Sequence, residues 1–149
     1  METTHTFLLV EDEPNDAFFV ERAFKRCPKH LQLRHVRDGV EAREYIQGEN
    51  EFGHRDLFPM PDVVLLDLKV PRLNGFDFLQ WIRNEAPLDA RSIPVAVLTS
   101  SHEPSDVARA YKLGANTYFV KPSNVNVLVT TIQDLAASWS KRLSEPVGC

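Results

Sequence analysis

Four short apolar runs each end in residues that can do chemistry. Thr6 to Val10 runs into Glu11-Asp12, Asp62 to Leu66 into Asp67, Ile93 to Leu98 into Thr99-Ser100, and Thr117 to Val120 into Lys121. In an open α/β sheet, ligands bind beyond the carboxyl ends of the strands. If the four runs are strands of one sheet, three carboxylates, hydroxyls and an ammonium meet at one edge. Carboxylates packed so closely repel, and one has a raised pKa unless a cation neutralises the set. A donor set made only of oxygen suits Mg2+ better than zinc or copper. Such an ion could bridge a carboxylate and an incoming phosphoryl oxygen. The lysine could balance the remaining charge, and the threonine hydroxyl could donate to a further oxygen. These are the parts phosphoryl transfer needs, with Asp67 as nucleophile and an aspartyl phosphate as product.

The elements that must hold these residues alternate regularly. Thr6 to Val10 is a first strand, and Pro14-Asn15-Asp16 opens a helix with Ala17, Val20, Ala23 and Phe24 inward. Leu31 to Val36 reads as a partly polar strand at a sheet edge. After the Asp38-Gly39 turn comes a helix over Val40 to Gln47, then a polar surface loop over Gly48 to Pro61. Val63-Val64-Leu65-Leu66 is continuously apolar, as a strand covered on both faces must be. A helix over Phe76 to Arg83 follows, then the Ile93 to Leu98 strand, and a helix from Pro104 that stops at Gly114. The fifth strand is Thr117 to Val120. Val125, Leu128, Val129, Ile132, Leu135, Ala136 and Trp139 then form one stripe at the helical period. Five βα units demand a parallel sheet with helices on both faces and right-handed crossovers.

The bulk numbers narrow the function. The 149 residues fit one domain, and the formal net charge of -4 argues against a nucleic-acid or membrane-surface binder. No apolar run approaches the roughly 20 residues needed to span a bilayer, and the N-terminus lacks a signal pattern, so a cytoplasmic location is expected. Cys27 and Cys149 have no metal-type spacing and read as free thiols, and the five histidines read as surface or structural.

Taken in order, Leu8-Leu9-Val10-Glu11-Asp12, Val64-Leu65-Leu66-Asp67 with Pro71 and Gly75 behind it, Val97-Leu98-Thr99-Ser100 and Tyr118-Phe119-Val120-Lys121-Pro122 resemble the receiver domain of two-component response regulators. The resemblance covers essentially the whole chain. It implies a flavodoxin-like, doubly wound five-stranded parallel sheet in the order 2-1-3-4-5 with helices on both faces. The receiver domain spans residues 1–143 and a C-terminal tail residues 144–149. The resemblance makes Asp67 the phospho-acceptor and assigns Mg2+ to Asp67, Asp12 directly, Glu11 mainly through water, and the main-chain carbonyl of Lys69. It makes Thr99 the hydroxyl that moves onto the phosphoryl group and Lys121 the lysine that pairs with it, with a cis bond between Lys121 and Pro122. Tyr118 matches an aromatic switch that turns inward with Thr99, and Ser100 the small residue that leaves the phosphate accessible.

A closer resemblance is to the stand-alone regulators paired with bacterial phytochromes. It rests on Glu11-Asp12-Glu13-Pro14-Asn15-Asp16, Asp67-Leu68-Lys69-Val70-Pro71, Leu98-Thr99-Ser100-Ser101, and Trp139 followed by Pro146. It implies a sensor histidine kinase partner of the phytochrome type, and a homodimer through the fourth and fifth βα units. Trp139 is read either as packing or as part of that dimer face. Lys69 departs from the Asn that many relatives carry. The expected role is a phosphorelay switch that catalyses only its own phosphorylation and dephosphorylation. A haloacid dehalogenase-type phosphatase would place a second Asp where Lys69 stands. A flavin or nucleotide binder would need a Gly-rich loop where Glu11-Asp12-Glu13 would repel phosphate.

Overall fold

The computed structural model describes residues 4–144, with side chains described through residue 139. Five strands, β1 (His5–Val10), β2 (Leu31–Val36), β3 (Val63–Leu66), β4 (Val95–Thr99) and β5 (Thr117–Val120), alternate with five helices. These are α1 (Pro14–Lys25), α2 (Gly39–Gln47), α3 (Gly75–Asn84), α4 (Pro104–Lys112) and α5 (Val125–Ser144). The strands form one parallel sheet in the order β2-β1-β3-β4-β5. The polar strand β2 lies at an edge, as its composition predicts. The expected tail lies outside the described residues except for Ser144, which α5 includes. Cys149 also lies outside them, and Cys27 is a buried thiol.

Alternate strand residues face opposite ways, so the central strands feed two cores. Leu8, Val10, Val64, Leu66, Val95 and Val97 pack with Phe78, Leu79 and Ile82 of α3. Phe7, Leu9, Val63, Leu65, Ala96 and Leu98 pack with Val20 and Ala23 of α1 and Leu128 and Ile132 of α5. Every residue of β3 is buried. Burying each Val or Leu side chain is worth about 1.5–3 kcal/mol, which makes β3 the best-anchored platform for the residue that follows it. Trp139 is buried in the second core, so of its two readings the structure shows packing.

Local chemistry explains the element ends. Pro14 and Pro104 open α1 and α4 at positions where a missing N–H costs nothing. Gly114, at φ 110°, follows α4 as the expected stop. Strand β4 begins at Val95 rather than Ile93; Pro94 between them has no N–H to give to a ladder. The loop over 48–61 is more ordered than its polar sequence suggests. It contains a 3-10 turn at Asn50–Gly53, and Phe52 is buried against Tyr45. The Arg55 guanidinium caps α2 by donating to the carbonyls of Tyr45 (2.7 Å) and Ile46 (2.9 Å).

Candidate functional site

Sheet register assembles the site. Val10 pairs with Leu66, and the Asp67 N–H donates to the Val10 carbonyl (3.1 Å). This sets Glu11 and Asp12 beside Asp67. Thr99 pairs with Val120, and the Lys121 N–H donates to the Thr99 carbonyl (2.8 Å). Leu66 lies opposite Val97, so Thr99 at the end of β4 reaches across to Asp67.

Asp67 is 6% exposed, and both its oxygens are held. Oδ1 accepts from Thr99 Oγ1 (2.9 Å) and from the Lys69 N–H (3.2 Å), and Oδ2 accepts from Lys121 Nζ (3.0 Å). Burial alone would raise the Asp67 pKa. The hydrogen bond and charge of Lys121, with the Thr99 and Lys69 donors, outweigh it and hold the carboxyl below the usual range. Asp67 is therefore an anion at neutral pH.

Lys121 Nζ makes three contacts: Glu11 Oε1 (2.7 Å), Asp16 Oδ2 (2.7 Å) and Asp67 Oδ2 (3.0 Å). Burial works against its charge, but hydrogen bonds to Asp16, Glu11 and Asp67 prevail and raise its pKa above the ordinary lysine value. Glu11 is 1% exposed. Burial, reinforced by the negative charge of Asp67, pushes Glu11 up to about 7 against the opposing pull of Lys121. The repulsion expected of clustered carboxylates thus falls on Glu11. Its other oxygen accepts from the Glu13 N–H (3.2 Å), and His35 Nε2 donates to the Glu11 carbonyl (2.7 Å), a structural role for that histidine.

Ligand atoms of Glu11, Asp12 and Asp67 lie within 4.8 Å of one another. Asp12 is exposed, whereas Glu11 is buried and tied to Lys121. The arrangement suits direct ligation by Asp12 and Asp67, with Glu11 set back. This all-oxygen set fits a hard divalent cation such as Mg2+. Lys69 sits at the rim with an exposed side chain, and its main chain is fixed through its N–H to Asp67.

The loop carrying Lys69 is clamped from behind. A Cβ on Gly75 would lie 2.6 Å from Leu68 Cα and 2.7 Å from the Asp67 carbonyl, so only glycine fits there. Gly39 is pressed harder still against the Leu73 carbonyl. Arg72, at φ 65°, donates to Asp38 Oδ2 (2.8 Å), joining this loop to the β2–α2 turn.

Ser100 is exposed at the mouth. Tyr118 is partly buried against the α3-side core, and its hydroxyl donates to the Ser101 carbonyl (2.9 Å). Ser101 Oγ in turn donates to Asp106 Oδ2 (2.6 Å) in the first turn of α4. Thr99 is thus directed at Asp67, and Tyr118 at the β4–α4 loop that follows Thr99. One expectation is corrected: the Lys121–Pro122 bond is trans, since the described residues contain no cis peptide bond. Trans is the form an X–Pro amide prefers by about 0.5–1 kcal/mol, and Lys121 reaches all three carboxylates from it. Sequence reasoning also missed Asp16 as a site residue. Its position, one turn past Asp12 on the helix that the acidic pair leads into, was the available signal.

Residues 7–133 match the model of the response regulator receiver domain. The chain is 33% identical to response regulator Rcp1 of Synechocystis sp. over 93% of its own length and 91% of that protein. Three solved structures are similar in fold. The phosphorylated cyanobacterial phytochrome response regulator RcpA superposes with TM-score 0.80 at 29% identity, over 92% of this chain and 94% of the other. The Mn2+-bound form of Rcp1 gives 0.77 at 32%, over 96% and 99%. Response regulator RPA3017, in red light signaling of R. palustris, gives 0.81 at 35%, over 91% and 93%.

Proposed function

The chain belongs to the response regulator receiver domain family, and from that premise we propose that Asp67 accepts a phosphoryl group from the phosphohistidine of a sensor histidine kinase. The observation that carries this reading is the convergence of Thr99, Lys121 and the Lys69 N–H on the two oxygens of one buried, ionised carboxylate. The names of RcpA and RPA3017, which mention phytochrome and red light, and the subfamily resemblance of the sequence favour a phytochrome-type kinase.

The chemistry follows from the residues present. Asp67 attacks as a carboxylate, forming an O–P bond as the P–N bond to the histidine breaks and the imidazole takes the bonding pair. Thr99 and Lys121 already donate to Asp67, and short movements let them donate to the new phosphoryl oxygens instead. Asp12, Asp67 and the Lys69 main chain, with Glu11 behind them, would hold Mg2+, which would supply charge neutralisation. Ser100 leaves the mouth open. Hydrolysis of the aspartyl phosphate returns the switch to rest, and no other reaction is catalysed.

The output is a change of surface. Thr99 is tied to Asp67, and Tyr118 is tied to the β4–α4 loop through Ser101. Only Ala110 of α4 is buried, so α4 is the helix most easily displaced. The phosphoryl group shifts this equilibrium only as far as Thr99 and Lys121 bind it better in one state. Tyr111 on α4, Val120 on β5 and Val127 on α5 are exposed, and the fourth and fifth βα units to which they belong are the surface through which two copies pair as a homodimer. The protein works in the cytoplasm through protein partners, without binding nucleic acid or membrane; among the described residues no helix is long and apolar enough to cross a bilayer.

The test is direct transfer. A purified phytochrome-type histidine kinase, autophosphorylated with labelled ATP, is mixed with this chain and Mg2+. The label should move to the chain within the mixing time and stay on the kinase when Asp67→Asn is used. Label that remains on every kinase of this type tried, while a known receiver strips it, counts against the reading.

A further inference from the structure

An ammonium has three protons to donate. In Lys121 all three are committed, to Glu11 Oε1 (2.7 Å), Asp16 Oδ2 (2.7 Å) and Asp67 Oδ2 (3.0 Å). A phosphoryl group on Asp67 takes over the proton that Lys121 now gives to Asp67, and the lysine must follow it while still held by Glu11 and Asp16. The two remaining contacts are not equally costly to loosen. The Glu11 side chain is 2% exposed, so releasing it would leave a buried group without its partner. The Asp16 side chain is 43% exposed and can exchange the lysine for water at little cost. Room exists on that side as well: an enclosed cavity of ≈ 30 Å³ lies between Asp16, Phe19, Leu98, Lys121 and Pro122, enough for one water.

We propose that Asp16 is a releasable tether on Lys121, a positioning residue that holds the lysine toward α1 at rest and limits how much of its charge reaches the phosphoryl group. The tether thereby weakens the hold of the site on an anion at Asp67. The proposal rests on Asp67 being the acceptor.

Beryllofluoride with Mg2+ mimics the phosphoryl group and tests it, with affinity read by calorimetry and folding checked by urea denaturation. Asp16→Asn should bind beryllofluoride about fourfold more tightly than wild type, the effect of about one unit of lysine charge freed to act on the anion at close range in water. Asp16→Glu, which keeps the charge, should stay within about twofold of wild type. Because Asp16 acts through Lys121, the gain should vanish when Asp16→Asn is combined with Lys121→Met. A structural first-turn acid would give none of this pattern. The proposal is overturned if Asp16→Asn binds no more tightly than wild type, if Asp16→Glu behaves like Asp16→Asn, or if the gain survives without Lys121. A wild-type chain that binds no beryllofluoride overturns the reading of Asp67, and this proposal with it.

Discussion

Glu11 and Asp67 are buried carboxylates on adjacent strands, yet they are driven in opposite directions. Asp67 has three donors and stays ionised, whereas Glu11 sits deeper and feels the Asp67 charge. The consequence is a pH dependence of definite sign. In the folded, metal-free protein Glu11 holds its proton up to about pH 7, while the unfolded chain releases it near 4.5. Its stabilising contribution is full below 4.5 and is lost as pH rises from there through about 7. Urea midpoints of wild type in metal-free buffer should therefore fall across that window relative to Glu11→Gln. A difference that stays level, or grows in favour of wild type, would contradict the assignment. Asp67 works the other way: its contribution is present above 3.8 and is lost as pH falls through its lower folded value, outside this window.

At this scale most of the site was legible because each reactive residue directly follows an apolar run, as Asp67 follows Leu66. Asp16 was not, because an acid in a first turn is a common helix feature and nothing in its spacing marks a partner 105 residues away. The cis bond at Pro122 came from resemblance alone, and the backbone did not need it.

Among the elements, the decisive one is the loop between β3 and α3. It carries Lys69, and it is fixed where Gly75 meets the Asp67–Leu68 backbone and where Arg72 meets Asp38. Gly75→Ala would drive a methyl into Leu68 Cα and the Asp67 carbonyl, both backbone atoms. The expected cost is about 1–3 kcal/mol of stability, with weaker Mg2+ binding because the ligand-bearing main chain must move. Urea denaturation and Mg2+ calorimetry check the two effects; unchanged Mg2+ affinity would show that the clamp does not position the site. A contrasting case lies at the other end of the sheet. The half-buried Arg83 guanidinium donates to the carbonyls of Gly114 (3.0 Å), Arg91 (3.0 Å) and Ile93 (2.8 Å) and to Asn116 Oδ1 (2.7 Å). Arg83→Ala strands several acceptors and should cost about 1–3 kcal/mol or more, while leaving beryllofluoride affinity unchanged. The helices and strands themselves were readable from periodicity, as the α5 stripe from Leu128 to Trp139 shows. The 3-10 turns at Asn50–Gly53 and Leu88–Ala90, and the left-handed backbone of Arg72, were not. They are set by what the loops pack against, which no local pattern records.

For the whole molecule, the sheet order follows from the composition of its strands: β3, apolar throughout, is central and β2, partly polar, is at an edge. What the sequence could not supply is which outer surface carries the signal. The proposed homodimer places Val120, Val127 and Tyr111 at the interface. Light scattering at tens of micromolar should report a dimer for wild type and a smaller species for Val120→Glu, with phosphorylation of Asp67 retained; a monomer with and without phosphorylation would contradict the interface. Everything above depends on Asp67 receiving the phosphoryl group, and one measurement reaches it without any partner protein. The chain is incubated with acetyl phosphate and Mg2+ and its intact mass is followed over time. Wild type should gain a single phosphoryl group and Asp67→Asn none; gain by Asp67→Asn at a comparable rate would contradict the account.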